Sequence, residues 1–503
     1  MTSEVRQMLL QAKASGDAEA LLRAGAAALQ AGAYSEAIVP VKNFLRKNRG
    51  NARLWQLLGL LHRNLEDLAP AVEAFQKAAE LLPDDAMIAH GLACVRFEAG
   101  LAAAGHFERA LRLAPSDRGI LLRLAAARIA EGRGDSAIAD VDRELRRTPQ
   151  WIEAHNALAR VRWTSGEQEG FAQSFERALQ AVPGDISLWR AYIETFLNAQ
   201  LFERALAAVD QARRAAGAHS TFDAAEAVSR SELGQTELAA ALFRRLAPIK
   251  DVALVVYYLR HLLRTGQVSE AATIAGNSAP NDPTNQIWPY AAIAWRLTGD
   301  PRWEWLEGDP RFVGVYDISK SLPSLDALAA RLRALHRTLN QPLDQSLRGG
   351  TQTEGHLLPR IEPEIRMLRR AIVETVERHV AQLPPPQPGH PLLIQRRTPI
   401  RFSGSWSVRL TGGGRHVEHF HPAGWISSAL YVALPGEEER GAAQSGWLSL
   451  GEASELGLDL PPIRLIEPKP GRLVLFPSTM WHGTRPFEAG ERLTVAFDVK
   501  RPG

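Results

Sequence analysis

The stretch ARLWQLLGLLHRNLEDLAPAVEAFQKAAELLP, residues 52–83, decides how most of the chain folds. Trp55, Leu58, Gly59 and His62 recur at helical spacing, Ala71, Phe75 and Ala78 do so again, and Pro83 ends the run. Small residues let two paired helices approach closely, and a Pro stops the second. The same positions return as Leu21, Gly25, Gly32 and Ala37 before this stretch. After it they return as Leu121, Leu124, Ala125, Gly132, Ala137 and Pro149, then as His155, Leu158, Ala159, Gly166, Phe175, Ala178 and Pro183. The period is about 34 residues, with a slightly short copy between Pro83 and Pro115.

That order reproduces the tetratricopeptide pattern. Looser copies keep its turn and small-residue signals: Trp189 with Ala205 and Ala212, Gly234 with Ala239 and Phe243, Gly266 with Ala271, and a last helix around Trp288 to Trp295. Residues 1–17 are expected to form an N-terminal helix or cap, and residues 18–300 roughly eight stacked helical pairs with a concave face. The repeated Leu, Ala and aromatic residues are expected in the core. By analogy with other stacked repeats, the concave surface is where a protein or peptide would dock.

From residue 301 the period is lost. Residues 301–340 read as a connecting segment that ends in an amphipathic helix over 322–340, and 361–383 read as another helix. Between them, the Gly- and Thr-rich run from Gln345 to Thr353 is unsuited to a helix. Pro384 to Pro391 forms a rigid connector. Beyond it, short strands are expected at 391–396, 404–411, 416–421, 425–434, 446–450, 463–467, 472–476 and 492–499, the texture of a small two-sheet jelly roll. The expected fold is an all-α tetratricopeptide superhelix followed by a jelly-roll (double-stranded β-helix) domain with flanking helices over 341–503.

Composition limits the partners. The chain has 503 residues, more than one hydrophobic core usually supports, with 59 Lys and Arg against 56 Asp and Glu. Without a concentrated basic stripe, nucleic acid is not an expected partner. The N-terminus lacks a signal-peptide pattern and no apolar run is long enough to span a bilayer, so a cytoplasmic protein with no membrane partner is expected. Cys94 is the single cysteine, so no internal disulfide forms, which fits a reducing compartment. Oligomeric state is not legible.

The chemistry is concentrated near the C-terminus. His416, Glu418, His419 and His421 stand together, with His482 about sixty residues later and Arg492 beyond it. Alternate residues of a strand share a face, so His419 and His421 would point one way and His416 and Glu418 the other. The His416-x-Glu418 pair has the form of a two-His-one-carboxylate iron site; His419-x-His421 would instead give three His with His482. Arg492 and Thr494 share a strand face, and a guanidinium fork beside a hydroxyl suits a carboxylate ligand.

Together with Gln345–Thr353, Ser405–Leu410, His419–Ser428, Tyr431, and Gly471–Ser478 through His482 to Asp498, these residues carry a resemblance. Residues 340–500 resemble the bacterial iron(II)- and 2-oxoglutarate-dependent dioxygenases often fused to tetratricopeptide repeats. The resemblance implies iron(II) as cofactor and 2-oxoglutarate as co-substrate, with oxidative decarboxylation driving hydroxylation of a C–H bond. It favours His419 and His482 as metal ligands. The third is His421, a water, or Glu418 if the strand carries a bulge, because His421 stands where many relatives have Asp or Glu. Arg492 would hold the distal carboxylate of 2-oxoglutarate, with Thr494 and Tyr431 as helpers. Trp406, Arg409 and Trp425 are candidates for the substrate pocket, the two tryptophans being equally suited to the core. No catalytic residue beyond the metal ligands is implied.

Three readings follow: an active dioxygenase whose repeats recruit a protein, peptide or carrier-bound substrate; a binding scaffold with an inactive oxygenase-like domain; and a cupin-like metal protein of other chemistry. Against the cupin, Pro422-Ala-Gly-Trp-Ile stands where its Glu would be. Against the scaffold, His482 and Arg492 keep the spacing of a working site.

Overall fold

A computed structural model describes residues 3–343 and 345–502. Residues 1, 2, 344 and 503, which fall in the expected segments 1–17 and 341–503, lie outside the described residues. After the helix Ser3–Ser15, eight helical pairs run from Ala18 to Ser278, followed by the helices Trp288–Thr298 and Arg302–Glu307.

The repeat has a local cause at each start. Asp17, Asn51, Asp85, Asp117, Asp185 and Asp251 each precede the first helix of a pair, and each side chain accepts a hydrogen bond from a backbone N–H of the first turn. Such caps satisfy donors that a helix start would otherwise leave unpaired. The small residues work as expected. A Cβ at Gly59 would stand 2.5 Å from the Phe75 ring, and one at Gly91 would meet the same ring from the next helix.

The described residues divide into two compact units. One comprises the helices up to Arg143 with the segment Gly355–Arg366, where Ile361 N–H donates to Ala99 O at 3.2 Å. The other comprises Glu144–Glu354 and the residues from Met367 onward, so it holds the later helical pairs and all the strands.

That second unit contains nine strands: β1 (Gly314–Asp317), β2 (Leu347–Gln352), β3 (Phe402–His416), β4 (Ile426–Ala433), β5 (Leu448–Leu450), β6 (Arg464–Ile466), β7 (Arg472–Pro477), β8 (His482–Thr484) and β9 (Glu491–Val499). They form an antiparallel sheet of order β1-β7-β4-β9-β3-β2 and a smaller one of order β6-β5-β8. Tyr431, Val474 and Phe476 from the large sheet cluster with Leu448, Leu450 and Ile466 from the small one, so an apolar core joins the two sheets. This is the two-sheet architecture expected of the C-terminal domain.

Several elements differ from the sequence reading. The expected connecting segment contributes β1, which pairs with β7 at the edge of the large sheet. The Gly-rich run supplies β2, whose Gly350 lies so close to β3 that a Cβ there would meet the Arg409 carbonyl. No strand forms over 391–396, because Leu392 and Leu393 donate their N–H groups to His390 Nδ1 instead of to a ladder. The helix expected to reach residue 340 ends at Leu335.

Candidate metal and anion site

The stretch expected as a regular strand over 416–421 is held by single contacts. β3 ends at His416, and His419 exchanges two backbone hydrogen bonds of 2.9 Å with His482. His421 N–H then donates to Ser478 O at 2.8 Å. The segment is therefore not one regular strand, and the His416 ring stacks on His419 with 5.6 Å between centroids.

His419, His421 and His482 converge, each offering one ring nitrogen within 4.8 Å of the others. Their other nitrogens are engaged. His419 Nδ1 donates to Val417 O at 2.8 Å, His482 Nδ1 to Met480 O at 3.0 Å, and His421 Nδ1 to Asp498 Oδ2 at 2.7 Å. A hydrogen bond from Nδ1 fixes the tautomer and leaves the Nε2 lone pair free, the arrangement that metal-ligating imidazoles use. Burial, reinforced by the neighbouring histidines, holds His419 and His482 well below the usual imidazole range, so both are neutral at pH 7. The three side chains fit a divalent metal that accepts imidazole ligands.

Glu418 is not part of this convergence. Its Oε2 accepts a hydrogen bond from Ser454 Oγ at 2.7 Å. His416 Nδ1 pairs with Ser346 Oγ at 3.1 Å, and burial followed by the Arg492 charge lowers its pKa to about 3.

Arg492, Thr494 and Tyr431 share one face of the large sheet, since Tyr431 lies directly opposite Thr494 in the β4–β9 register. Arg492 is only 3% exposed, and its Nε and Nη1 have no hydrogen-bond partner among the described residues. The guanidinium sits 5.1 Å from the Tyr431 ring centroid, and this phenol, not a carboxylate, is the neighbour that favours its charge. A buried cation without a counter-charge is expensive, and an anion that brings its own acceptors resolves the cost. The residues thus fit a carboxylate ligand.

The pocket candidates divide. Trp406 stacks on His421 with 5.6 Å between ring centroids and 18° between planes, beside the convergent histidines. Arg409 lies on the opposite face of β3, ion-paired with Glu491 at 2.5 Å and half-buried. Trp425 is buried and donates from Nε1 to Leu392 O at 2.8 Å, which makes it a core wedge.

Two features escaped the sequence reading. Asp498 supports His421 and is itself met by Ser427 Oγ at 2.6 Å. Its parity with Arg492 and Thr494 on β9 was the available signal, since alternate residues share a face. The second is the helical wall. Phe420 and Trp481, neighbours of the three histidines, each pack edge-on against Tyr290 of the helix Trp288–Thr298 at 5.6 Å, and Trp481 Nε1 donates to Pro289 O at 3.1 Å. No local pattern announces a contact between residues so far apart in sequence.

A two-sheet domain with three convergent imidazoles and a buried Arg without a counter-charge has side chains that fit a divalent metal and an anionic ligand. Residues 404–498 match the family model "Putative 2OG-Fe(II) oxygenase", and residues 52–85 and 92–150 match tetratricopeptide repeat models. The chain therefore joins tetratricopeptide repeats to a C-terminal domain of that oxygenase family. Similar solved structures include a Pseudomonas putida prolyl-4-hydroxylase at 20% identity and TM-score 0.26, covering 38% of this chain and 94% of that one. A tetratricopeptide repeat protein from Parabacteroides merdae is 17% identical with TM-score 0.31, over 47% and 95% of the respective chains. MamA is 21% identical with TM-score 0.28, over 31% and 92%. No curated protein matches the chain. No helix among the described residues is long and apolar enough to cross a membrane.

Proposed function

We propose that the protein is an iron(II)- and 2-oxoglutarate-dependent hydroxylase of a reducing, cytoplasmic compartment, whose repeats over 18–300 recruit a protein, peptide or carrier-bound substrate to an oxygenase domain over 341–503. The observation that carries this reading is the pairing of three histidines, each with Nδ1 engaged and converging within 4.8 Å, with a buried Arg492 that lacks a counter-charge. His419, His421 and His482 would hold the metal, and Arg492, helped by Thr494 and Tyr431, the distal carboxylate of the co-substrate. Bound together, iron(II) and 2-oxoglutarate supply dioxygen-dependent hydroxylation, with succinate and carbon dioxide as the co-products. The chain's own residues keep the imidazoles in one tautomer, set the Arg492 fork in a dry environment, and place Trp406 against the His421 ring. Burial strengthens each polar interaction at the site because water competes less.

The test is formation of succinate from 2-oxoglutarate by the iron-loaded chain, with loss in His482→Ala and Arg492→Ala. A protein that binds neither iron nor 2-oxoglutarate anaerobically would make the domain a scaffold. Iron binding by His421→Ala and Glu418→Ala settles the third ligand. We expect a large loss in the first variant and little change in the second, and the reverse result would restore Glu418.

A further inference from the structure

Two adjoining cavities lead from the helical repeats to His419. The larger, of about 870 Å³, is lined by the helices Ile186–Asn198, Ser220–Glu232 and Val252–Arg264 and by Tyr290. The smaller, of about 210 Å³, is lined by Glu418, His419 and Glu455. Asn198, Gln200, Arg260 and Tyr290 line both, so the groove continues into the space beside His419.

The dimensions select an extended ligand. The first helices of successive pairs lie side by side, and neighbouring helices pack about 8–10 Å apart. Crossing from Ile186–Asn198 to Trp288–Thr298 takes three such steps, about 24–30 Å, which a chain of about nine extended residues spans. A compact metabolite would fill only one end.

Charge selects its kind. Each of the two arginines of the lining has an acidic partner, and Arg260 shares its own, Glu232, with Arg264. Arg260 donates to both Glu232 oxygens at 2.8 and 3.1 Å, and Arg190 lies 3.6 Å from Glu194. Asp251, Glu418 and Glu455 have no ion-pair partner among the described residues. Arg348, beside the junction, donates to Gln200 Oε1 and to the Gln345 and Leu347 carbonyls, neutral partners that leave its charge acting on Glu455. The lining itself stays acidic, with Glu194, Glu232, Asp251, Glu418 and Glu455 against Arg190 and Arg260.

Resting on the proposed hydroxylase reading, we infer that the substrate is an extended polypeptide segment with Lys or Arg side chains. The segment lies along the groove, its basic groups facing Asp251, Glu418 and Glu455, and it delivers its target residue beside His419.

The experiment selects a displayed library of random peptides of about nine residues on the full-length chain, without iron or 2-oxoglutarate. It repeats the selection on the triple variant Asp251→Asn, Glu418→Gln, Glu455→Gln. Asn preserves the helix cap at 251, and thermal unfolding confirms that the variant is folded. Lys and Arg should be enriched on the wild-type chain, and synthetic copies of the selected peptides should bind the variant about tenfold more weakly at low salt. No basic enrichment, or equal enrichment and affinity on the variant, overturns the inference. Failure of succinate formation with this binding intact would instead overturn the hydroxylase reading.

Discussion

Replacing Arg492 with Met should move stability and ligand binding in opposite directions. The guanidinium is 3% exposed, with Nε and Nη1 unpartnered. Keeping such a cation out of water costs about several kcal/mol. Its place over the Tyr431 ring, 5.1 Å from the centroid, returns about 0.5–2 kcal/mol. Met fills a similar volume without charge, so the variant without co-substrate should be more stable by about 1–3 kcal/mol. The same change removes two charge-assisted hydrogen bonds to a carboxylate, each worth about 1.5–3 kcal/mol. Affinity for 2-oxoglutarate should then fall by about 10²- to 10⁴-fold. Thermal unfolding under anaerobic manganese(II), with and without 2-oxoglutarate, reads both effects. The wild type should gain about 2.7 kcal/mol at a hundred times its Kd, while the variant should start higher and not respond. A variant that melts lower without co-substrate, beside a wild type indifferent to 2-oxoglutarate, would show that Arg492 is a satisfied structural group and refute the reasoning.

Two further outcomes are expected. Asp498→Asn should weaken metal binding by about 10- to 100-fold, because Asp498 accepts from His421 Nδ1 and a second-layer partner of this kind orients the ligand. Metal titration of the purified variant checks this, and unchanged affinity would remove His421 from the ligand set. Glu307 is buried with Oε1 unpartnered, and burial pushes its carboxyl up to about 7. The folded state thus holds this proton more tightly than the unfolded chain, a stabilisation present below the ordinary Glu range and lost as pH rises through about 7. Glu307→Gln should therefore stabilise the protein at pH 8 by about 3 kcal/mol and do nothing at pH 4. Urea unfolding at the two pH values decides it, and an effect independent of pH would refute it.

The parts of the protein legible in the sequence are those with local causes. Trp55, Gly59, Phe75 and Pro83 specify a helical pair through neighbours three and four residues apart, and all eight expected pairs are present. The strands β4, β7 and β9 carry their own apolar runs and turns, and Arg492 with Thr494 declares a shared face by parity alone. β2 was not legible, because the glycines that let its backbone lie against β3 are ordinary turn residues when read locally. Nor was the short edge strand β1, whose partner β7 lies far along the chain.

At the site, the sequence by itself determined which residue types were available: five candidate ligands, one Arg, and a strand to carry it. Tertiary structure decided their arrangement. β3 ends at His416 and only an isolated His419–His482 bridge follows, so the stretch is not one regular strand. His419 and His421 meet as parity expects, while the stacking of His416 on His419 is a tertiary contact. Asp498 and Ser427 become a support for His421 only once β4 and β9 are in register. Tyr290 meets Phe420 and Trp481 only when a helix of the repeats packs beside the sheets. Periodicity encodes which face a side chain takes within its own element, whereas the meeting of two faces depends on the packing of the whole unit.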